Sequence, residues 1–211
     1  MKITIAKITF WISSSLLVLL LSVQVVTTDL YLLAHVDRYD SHRLVTWDHE
    51  FALREISAYL NGQRDDLEFP STPGGTDVVM TERGLLHMID VANLYTAGRG
   101  LAALFTVLAA VAGVTLYDAK RLKETLRKQW IFPSAFAAFI TLAMVIDFGA
   151  AFRLFHELFF SNDLWLLSPL DPLIIMLPST FFFLTGATII GLFVGAHGLV
   201  HLFAVKTKFE F

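Results

Sequence analysis

Apolar residues dominate four stretches of the chain, each close to the length of a membrane crossing. These stretches are residues 8–27, 98–117, 131–151 and 179–204. A hydrocarbon core of about 30 Å requires about 20 consecutive apolar residues in a helix. The pattern therefore predicts an all-α membrane protein with four transmembrane helices, the first within residues 1–27 and the last followed by a short C-terminal segment at 205–211.

The composition agrees with this prediction. Of the 211 residues, 55% are hydrophobic and 19 are phenylalanine, which is outside the range of soluble globular proteins. The first stretch follows Lys2 and Lys7, as a signal peptide would, but its apolar core is long and no small-x-small cleavage site follows, so we interpret it as an uncleaved helix. The chain has no cysteine, which excludes disulfides and thiol catalysis by its own residues.

The distribution of lysine predicts the orientation in the membrane. All seven lysines lie in the segment 118–130 or near the two termini. Because cytoplasmic loops carry an excess of lysine and arginine, both termini and the basic loop at 118–130 are predicted to be cytoplasmic. Residues 28–97, with twelve acidic residues against five arginines, and residues 152–178 are then predicted to be extracellular.

The segment 28–97 is too long for a simple connection and is predicted to form an extracellular cap between the first two spans. Its stretch HEFALREISAYL has helical apolar spacing and is followed by Asn61 and Gly62, which predict the helix end. A second helix is predicted to start at Thr81 as N-cap and to continue into the second span. No glycine-rich phosphate loop or basic nucleic-acid patch is present, so we expect no nucleic-acid partner.

Seven histidines are the first candidates for chemistry, and five of them allow a metal-binding or a structural interpretation. His35, His42 and His49 are spaced by seven residues, and His197 and His201 by four on one helix face. No HExxH glutamate accompanies the second pair, and nearby glycines indicate close helix packing. We favour structural roles for all five and predict neither a metal site nor a cofactor.

The other two histidines, His87 and His156, are predicted to lie at the same depth on the same membrane face. Asp90 follows His87 by three residues, close enough on a helix to accept a hydrogen bond from its ring. Asn162 is placed to serve His156 in the same way. Asp147, inside the third span, is a carboxylate at membrane depth, where such groups mark functional sites.

His156 belongs to the aromatic segment 152–178, which is too polar and too proline-rich for a span. We predict an interfacial or re-entrant segment whose aromatic residues keep it at the membrane surface. Its polar residues, which include Arg153 and Asp171, are predicted to face a pocket.

Two stretches, ERGLLHMIDVANLY and FHELFFSNDLWLLSPLDPLIIMLPSTFF, resemble the bacterial lipoprotein intramolecular transacylases and the uncharacterised membrane proteins grouped with them. The resemblance implies a bacterial plasma membrane enzyme that moves the sn-2 acyl chain of a diacylglyceryl-modified lipoprotein to the amine of its N-terminal cysteine. The catalytic histidines of the family fall on His87 and His156. Membrane lipid is expected as a further partner. With the histidines we group supporting residues and an aromatic substrate pocket: Asp90, Asp147, Arg153, Asn162 and Asp171, and Phe155, Phe159, Phe160 and Trp165.

Two alternatives remain open at this point. The same histidines could serve a membrane lipid hydrolase that uses water as nucleophile, in which case free fatty acid is released. A small membrane protein that binds a lipid or a partner without catalysis would instead tolerate loss of both histidines. The oligomeric state is not predicted.

Overall fold

A computed structural model of the chain describes residues 1–35, 47–70, 80–117 and 119–206. Within these ranges all regular elements are helices and no β-strand occurs. The helices are α1 Lys2–Val25, α2 Asp29–Leu33, α3 His49–Leu60, α4 Glu82–Thr115, α5 Ala119–Lys128, α6 Ile131–Ile146, α7 Phe148–Phe159, α8 Pro172–Met176 and α9 Ser179–Lys206.

Four helical segments are long and apolar enough to cross a membrane. They are Lys2–Val25, Glu82–Thr115, Lys120–Ile146 and Ser179–Lys206. Many of their large apolar side chains are exposed, among them Val114, Phe139 and Leu199, as expected where lipid rather than water is the solvent. The prediction of an all-α membrane protein with four spans is therefore confirmed, while the side on which residues 28–97 lie stays a prediction.

Two helix boundaries near the third span differ from the predicted segment boundaries. The span was expected to continue to residue 151, but α6 ends at Ile146 and α7 begins at Phe148. Asp147 separates them with an extended backbone, and its carboxylate caps α7 by accepting a hydrogen bond from the Ala150 N–H. The predicted basic loop at 118–130 is mostly the helix α5, because it contains no residue that breaks a helix and ends with Arg127 and Lys128 at the negative end of the helix dipole.

One compact unit comprises Gln24–Ala97 and Asp147–Gly186. A buried apolar cluster forms its core, with contributions from α2, α3, α4 and α8 and from the start of α9: Leu32, Ala52, Leu53, Ile56, Leu60, Leu67, Phe69, Met80, Met88, Leu173, Met176, Leu177 and Phe181. The predicted helix α3 is observed, with Asp48 as N-cap and Asn61 as C-cap. Gly62 follows with a φ of 71°, a conformation that glycine adopts at low cost.

Within this unit, two helix starts that matter for the site have side-chain caps. The Gly84 N–H donates to Thr81 Oγ1, so α4 begins where the sequence predicted. The short helix α8 has Asp171 as N-cap and Pro172 in its first turn, where a proline costs no intrahelical hydrogen bond.

The other unit comprises Met1–Val23, Gly98–Ile146 and Ala187–Phe211, of which residues 118 and 207–211 lie outside the described ranges. Hydrogen bonds from α1 and α9 reach α5 and the residues after it: Trp11 Nε1 donates to the Thr125 carbonyl at 2.9 Å, and Gln129 Nε2 donates to Ser14 Oγ at 2.7 Å. His201 Nδ1 donates to the Arg127 carbonyl at 2.9 Å. These bonds satisfy polar groups that lipid cannot solvate.

Candidate active site

Helices α4 and α7 bring His87 and His156 together. Their ring centroids are 5.9 Å apart with an interplanar angle of 38°. Both side chains are buried, with 8% and 7% of their surface exposed. The two histidines are thus close neighbours, although they are 69 positions apart in the chain, and their shared depth and membrane face stay a prediction.

The ring of His156 has a defined tautomer. Its Nδ1 lies 2.7 Å from the carbonyl oxygen of Phe152, four residues earlier on α7. A carbonyl only accepts, so Nδ1 carries the hydrogen and Nε2 of the neutral ring has a free lone pair. Asn162 was predicted for this role, but the Phe152 carbonyl fills it. The i−4 spacing on an unbroken helix is the signal that would have identified it.

Four aromatic rings surround the imidazole of His156. The centroid distances are 4.2 Å to Phe152, 4.8 Å to Trp165, 5.3 Å to Phe155 and 5.6 Å to Phe160. Burial among these rings lowers the pKa of His156 below its ordinary value of 6.5, and the bond to the Phe152 carbonyl opposes this with a smaller effect. The ring is therefore mostly neutral at neutral pH and has a lone pair with which it can take up a proton.

His87 has a different environment. Phe160 packs edge-on against it at 5.3 Å, and its Nδ1 is buried without a hydrogen-bond partner among the described residues. The expected bond from His87 to Asp90 is not formed. Asp90 Oδ2 instead accepts from Asn162 Nδ2 at 2.8 Å, because the loop after α7 passes close to α4.

The loop that follows α7 is held by further polar contacts. Asn162 also accepts from the Leu164 N–H with its side chain and from Trp165 Nε1 with its backbone carbonyl. The Arg83 guanidinium lies 3.2 Å from a carboxylate oxygen of Asp163 and also bonds its backbone carbonyl. Asn162 therefore fixes both the position of Trp165 beside His156 and the connection of the loop to α4. Arg83 was not identified from the sequence, since its partner is 80 residues away.

A second polar connection joins the start of α4 to the start of α8. Asp171 is 5% exposed and accepts from Thr81 Oγ1 at 2.6 Å and from the Leu173 N–H at 3.0 Å. Gly84 lies against this group, because a Cβ added there would be 3.1 Å from Thr81 Oγ1 and 3.3 Å from Leu173 Cδ1. Asp171 thus holds the first turn of α4, which carries His87 one turn later.

A cavity of about 300 Å³ lies beside the histidine pair, in the angle between α4 and the end of α7. Two residues of the predicted aromatic pocket, Phe159 and Phe160, line it, whereas Phe155 and Trp165 contact His156 instead. The full lining is Asp90, Asn93, Leu94, Ala97, Phe159, Phe160, Ser161 and Asn162.

Two of the predicted supporting residues, Asp147 and Arg153, are exposed and belong to the part of α7 before His156. Asp147 serves as the N-cap of α7, so its position at the edge of the third span reflects a helix start. Asp90, Asn162 and Asp171 instead form hydrogen bonds between the segments around the histidine pair.

The other histidines show no grouping that would hold a metal. Within the described ranges no three histidine, aspartate or glutamate side chains converge. His35 Nδ1 donates to the Tyr31 carbonyl at 2.8 Å, and His197 Nδ1 donates to the Phe193 carbonyl at the same distance. His42 lies outside the described residues.

Comparisons with known proteins identify the family. The family model for the lipoprotein intramolecular transacylase Lit matches residues 8–182. Among solved structures, the membrane-integral lipoprotein intramolecular transacylase Lit from Bacillus cereus matches with a TM-score of 0.79 and 23% identity, covering 97% of this chain and 96% of that chain. Variants of the same protein with one histidine replaced by arginine or by alanine match with TM-scores of 0.74 and 0.75, each at 24% identity. The arginine variant covers 97% of this chain and the alanine variant 96%, each covering 92% of the matched chain. No curated protein sequence matches the chain.

The four apolar spans and the histidine pair define an integral membrane protein with a candidate acid–base site. At this level of identity the solved structures show a shared fold, while the family model covers most of the chain. The chain belongs to the lipoprotein intramolecular transacylase family. It is accordingly a multi-pass membrane acyltransferase, and the family name identifies a lipoprotein as the substrate.

Proposed function

We propose that the protein transfers the sn-2 acyl chain of a diacylglyceryl-modified lipoprotein to the amine of the N-terminal cysteine, with His87 and His156 as the catalytic residues. The observation that carries the proposal is the 5.9 Å separation of the two buried rings. At this separation both imidazoles can reach one reacting centre, since each needs to come within about 3 Å of it.

His156 is the general base in this proposal. Its Nδ1–H is engaged with the Phe152 carbonyl, so Nε2 faces the reaction as the proton acceptor. The amine attacks the ester carbonyl carbon and gives a proton to Nε2. The same nitrogen then returns a proton to the departing glyceryl oxygen as the carbon–oxygen bond breaks. Ester and amine become amide and alcohol, and His156 ends the cycle neutral. Such assistance is typically worth about 10² to 10⁴ in rate.

His87 stabilises the oxyanion of the tetrahedral intermediate. Two imidazolium rings 5.9 Å apart repel each other, so the pair does not carry two positive charges in an apolar site. While His156 holds the transferred proton, His87 therefore acts as a neutral hydrogen-bond donor. A donor already directed at the position where charge develops needs no reorganisation during the reaction.

The aromatic wall contributes orientation. Acyl donor and amine belong to one substrate molecule, and well-oriented intramolecular reactions reach effective molarities of about 10⁵ to 10⁸ M. Trp165 and Phe160 pack against His156, and Phe160 also packs against His87. This wall excludes water, which would otherwise hydrolyse the ester.

The proposal includes the location of the site. Lysine is confined to the termini and to 118–130, so both termini are assigned to the cytoplasm and the histidine pair to the extracellular face of a bacterial plasma membrane. Diacylglyceryl lipoproteins are displayed there, and membrane lipid surrounds the aromatic segment.

The test is production of the protein in a bacterial host that lacks N-acylation of lipoproteins. Mass spectrometry of lipoprotein N-terminal peptides is expected to show conversion of the diacylglyceryl form to the N-acyl lyso form. His87→Ala and His156→Ala are expected to abolish the conversion. The matched control is His201→Ala, which removes a histidine bonded to the Arg127 carbonyl and not part of the site.

Unchanged peptides, with the wild-type protein folded and present in the membrane, would contradict the proposal. Free fatty acid without an N-acylated product would instead show hydrolysis by the same histidines. N-acylation that persists in both His87→Ala and His156→Ala would show that other residues catalyse the reaction.

A further inference from the structure

The cavity beside the histidine pair has two chemically different walls. Polar groups come from Asp90, Asn93, Ser161 and Asn162, and apolar surface from Leu94, Ala97 and the two phenylalanines. A volume of about 300 Å³ is at the small end of ligand pockets and holds a polar end group rather than a whole diacylglyceryl lipid.

Among the described residues that line this cavity, Asp90 is the only ionisable one. Asn162 Nδ2 donates to Oδ2, which fixes the carboxylate rotamer. Within the described residues Oδ1 has no hydrogen-bond partner, so one carboxylate oxygen is left to accept a donor from the cavity. The Arg83 guanidinium, seven residues before Asp90 on α4, lies 3.2 Å from a carboxylate oxygen of Asp163. The cavity is therefore suited to a small cation.

The cavity and the histidine pair share a wall. Phe160 lines the cavity and also packs against both rings, at 5.3 Å from His87 and 5.6 Å from His156. Asp90 lies three residues after His87, on the same side of α4. A group bound at Asp90 is therefore held within about one helical turn of His87, whose ring lies 5.9 Å from that of His156.

We propose that Asp90 and this cavity bind the α-ammonium group of the substrate's N-terminal cysteine. The proposal rests on the acyl transfer described above, in which that amine is the nucleophile. An amine with an ordinary pKa of about 7.7 to 8.0 arrives mainly as ammonium. A carboxylate selects this form and holds it beside the histidine pair. The bound ammonium first releases one proton to water and becomes the amine, and the proton lost when that amine attacks the ester is the one that Nε2 accepts and returns to the glyceryl oxygen. Asp90 is thus a substrate-binding residue, and Asn162 positions it.

The test separates binding from turnover. The probe is a diacylglyceryl-type lipopeptide with two ether-linked alkyl chains, which has no acyl group to transfer. Its affinity for the full-length protein in detergent micelles is compared with that of the same lipopeptide lacking the amine. Wild-type protein is expected to prefer the amine about tenfold, as one charge-assisted hydrogen bond provides.

Asp90→Asn removes the charge and keeps an oxygen that can accept from Asn162, so the preference is expected to fall to about one. Asp90→Glu is expected to retain a preference. Asn93→Lys lines the same cavity and leaves the Asp90–Asn162 bond in place, and its cation is expected to make the preference less than one. Asn93→Lys therefore tests whether the cavity binds an ammonium group even if Asp90→Asn does not fold.

A preference that is unchanged in Asp90→Asn or in Asn93→Lys would overturn the inference. Displacement of the amine lipopeptide by an equal concentration of phosphatidylethanolamine, but not of phosphatidylglycerol, would assign the site to a membrane aminolipid and also overturn it. Turnover of the ordinary ester substrate is measured in parallel. Charge-dependent binding without N-acylated product would refute the acyl transfer but support the ammonium site. Turnover with charge-independent binding would support the acyl transfer but refute the ammonium site.

Discussion

Replacing Asp171 by alanine is expected to destabilise the unit that contains the histidine pair by about 1.5 to 4.5 kcal/mol. The Leu173 N–H is buried and would lose its acceptor, which costs about 1 to 3 kcal/mol. Thr81 is exposed, so its hydroxyl can bond to water after the substitution, and losing that bond costs about 0.5 to 1.5 kcal/mol.

Asp171→Asn is the matched control. Its side-chain oxygen can still accept from the Leu173 N–H, and its amide can donate to Thr81 Oγ1, so we expect a loss below about 1 kcal/mol. Stability is measured by equilibrium unfolding in mixed micelles, followed by tryptophan fluorescence. The reasoning is refuted if alanine lies within about 0.5 kcal/mol of wild type, or if asparagine is as destabilising as alanine.

Three further predictions concern the same unit. His156→Ala is expected to lower the rate of N-acyl product formation per folded protein by about 10² to 10⁴, and a rate within threefold of wild type would remove His156 from the chemistry. The pH profile of kcat/KM is expected to show an acid limb with its midpoint below 6.5, because only the neutral form of a base whose pKa is lowered by burial accepts a proton; a midpoint above 6.5 contradicts this. Gly84→Val is expected to cost about 1 to 3 kcal/mol of stability because Thr81 Oγ1 and Leu173 Cδ1 are already close, whereas Gly100→Val, with no atom within 4 Å of its added Cβ, serves as the tolerant control.

The same shift of the His156 pKa predicts the sign of a stability effect. A histidine whose pKa is lower in the folded protein than in the unfolded chain leaves stability unchanged above pH 6.5. As the pH falls below 6.5, the unfolded chain binds the proton first, and the folded state loses stability until the folded pKa is passed. His156→Gln is expected to reduce this loss in an acid unfolding series.

Features that follow from the spacing of apolar residues or from the length of an apolar stretch could be predicted from the sequence. Four apolar stretches of membrane length predicted the spans, and the helical spacing before Asn61 and Gly62 predicted α3 with its end. Thr81 predicted the start of α4, since a threonine before an acidic first turn is a local capping signal. Each of these features depends on residues close together in the chain.

Features that depend on partners far apart could not be predicted. Asp90 was expected to bond His87 because the two are neighbours on one helix. Its carboxylate instead accepts a hydrogen bond from the side-chain amide of Asn162, which comes 72 residues later in the chain. The break at Asp147 was also missed, because apolar residues continue on both sides and the composition remains that of a span. A single extended residue is enough to end one helix and cap the next.

That break explains how an apolar stretch can also build a polar site. Had α6 continued without interruption, His156 would have been one more residue on a spanning helix. Instead α7 starts separately after Asp147 and ends at Phe159, so His156 lies in its last turn with Nδ1 bonded to the Phe152 carbonyl. The partial negative charge at the end of a helix favours a protonated imidazole, while burial among aromatic rings favours the neutral one. A base that must accept a proton and return it within one turnover needs these two effects in opposition, since either alone would stabilise one protonation state too strongly. Phe160, extended just past the helix end, then packs against both histidines and closes the site.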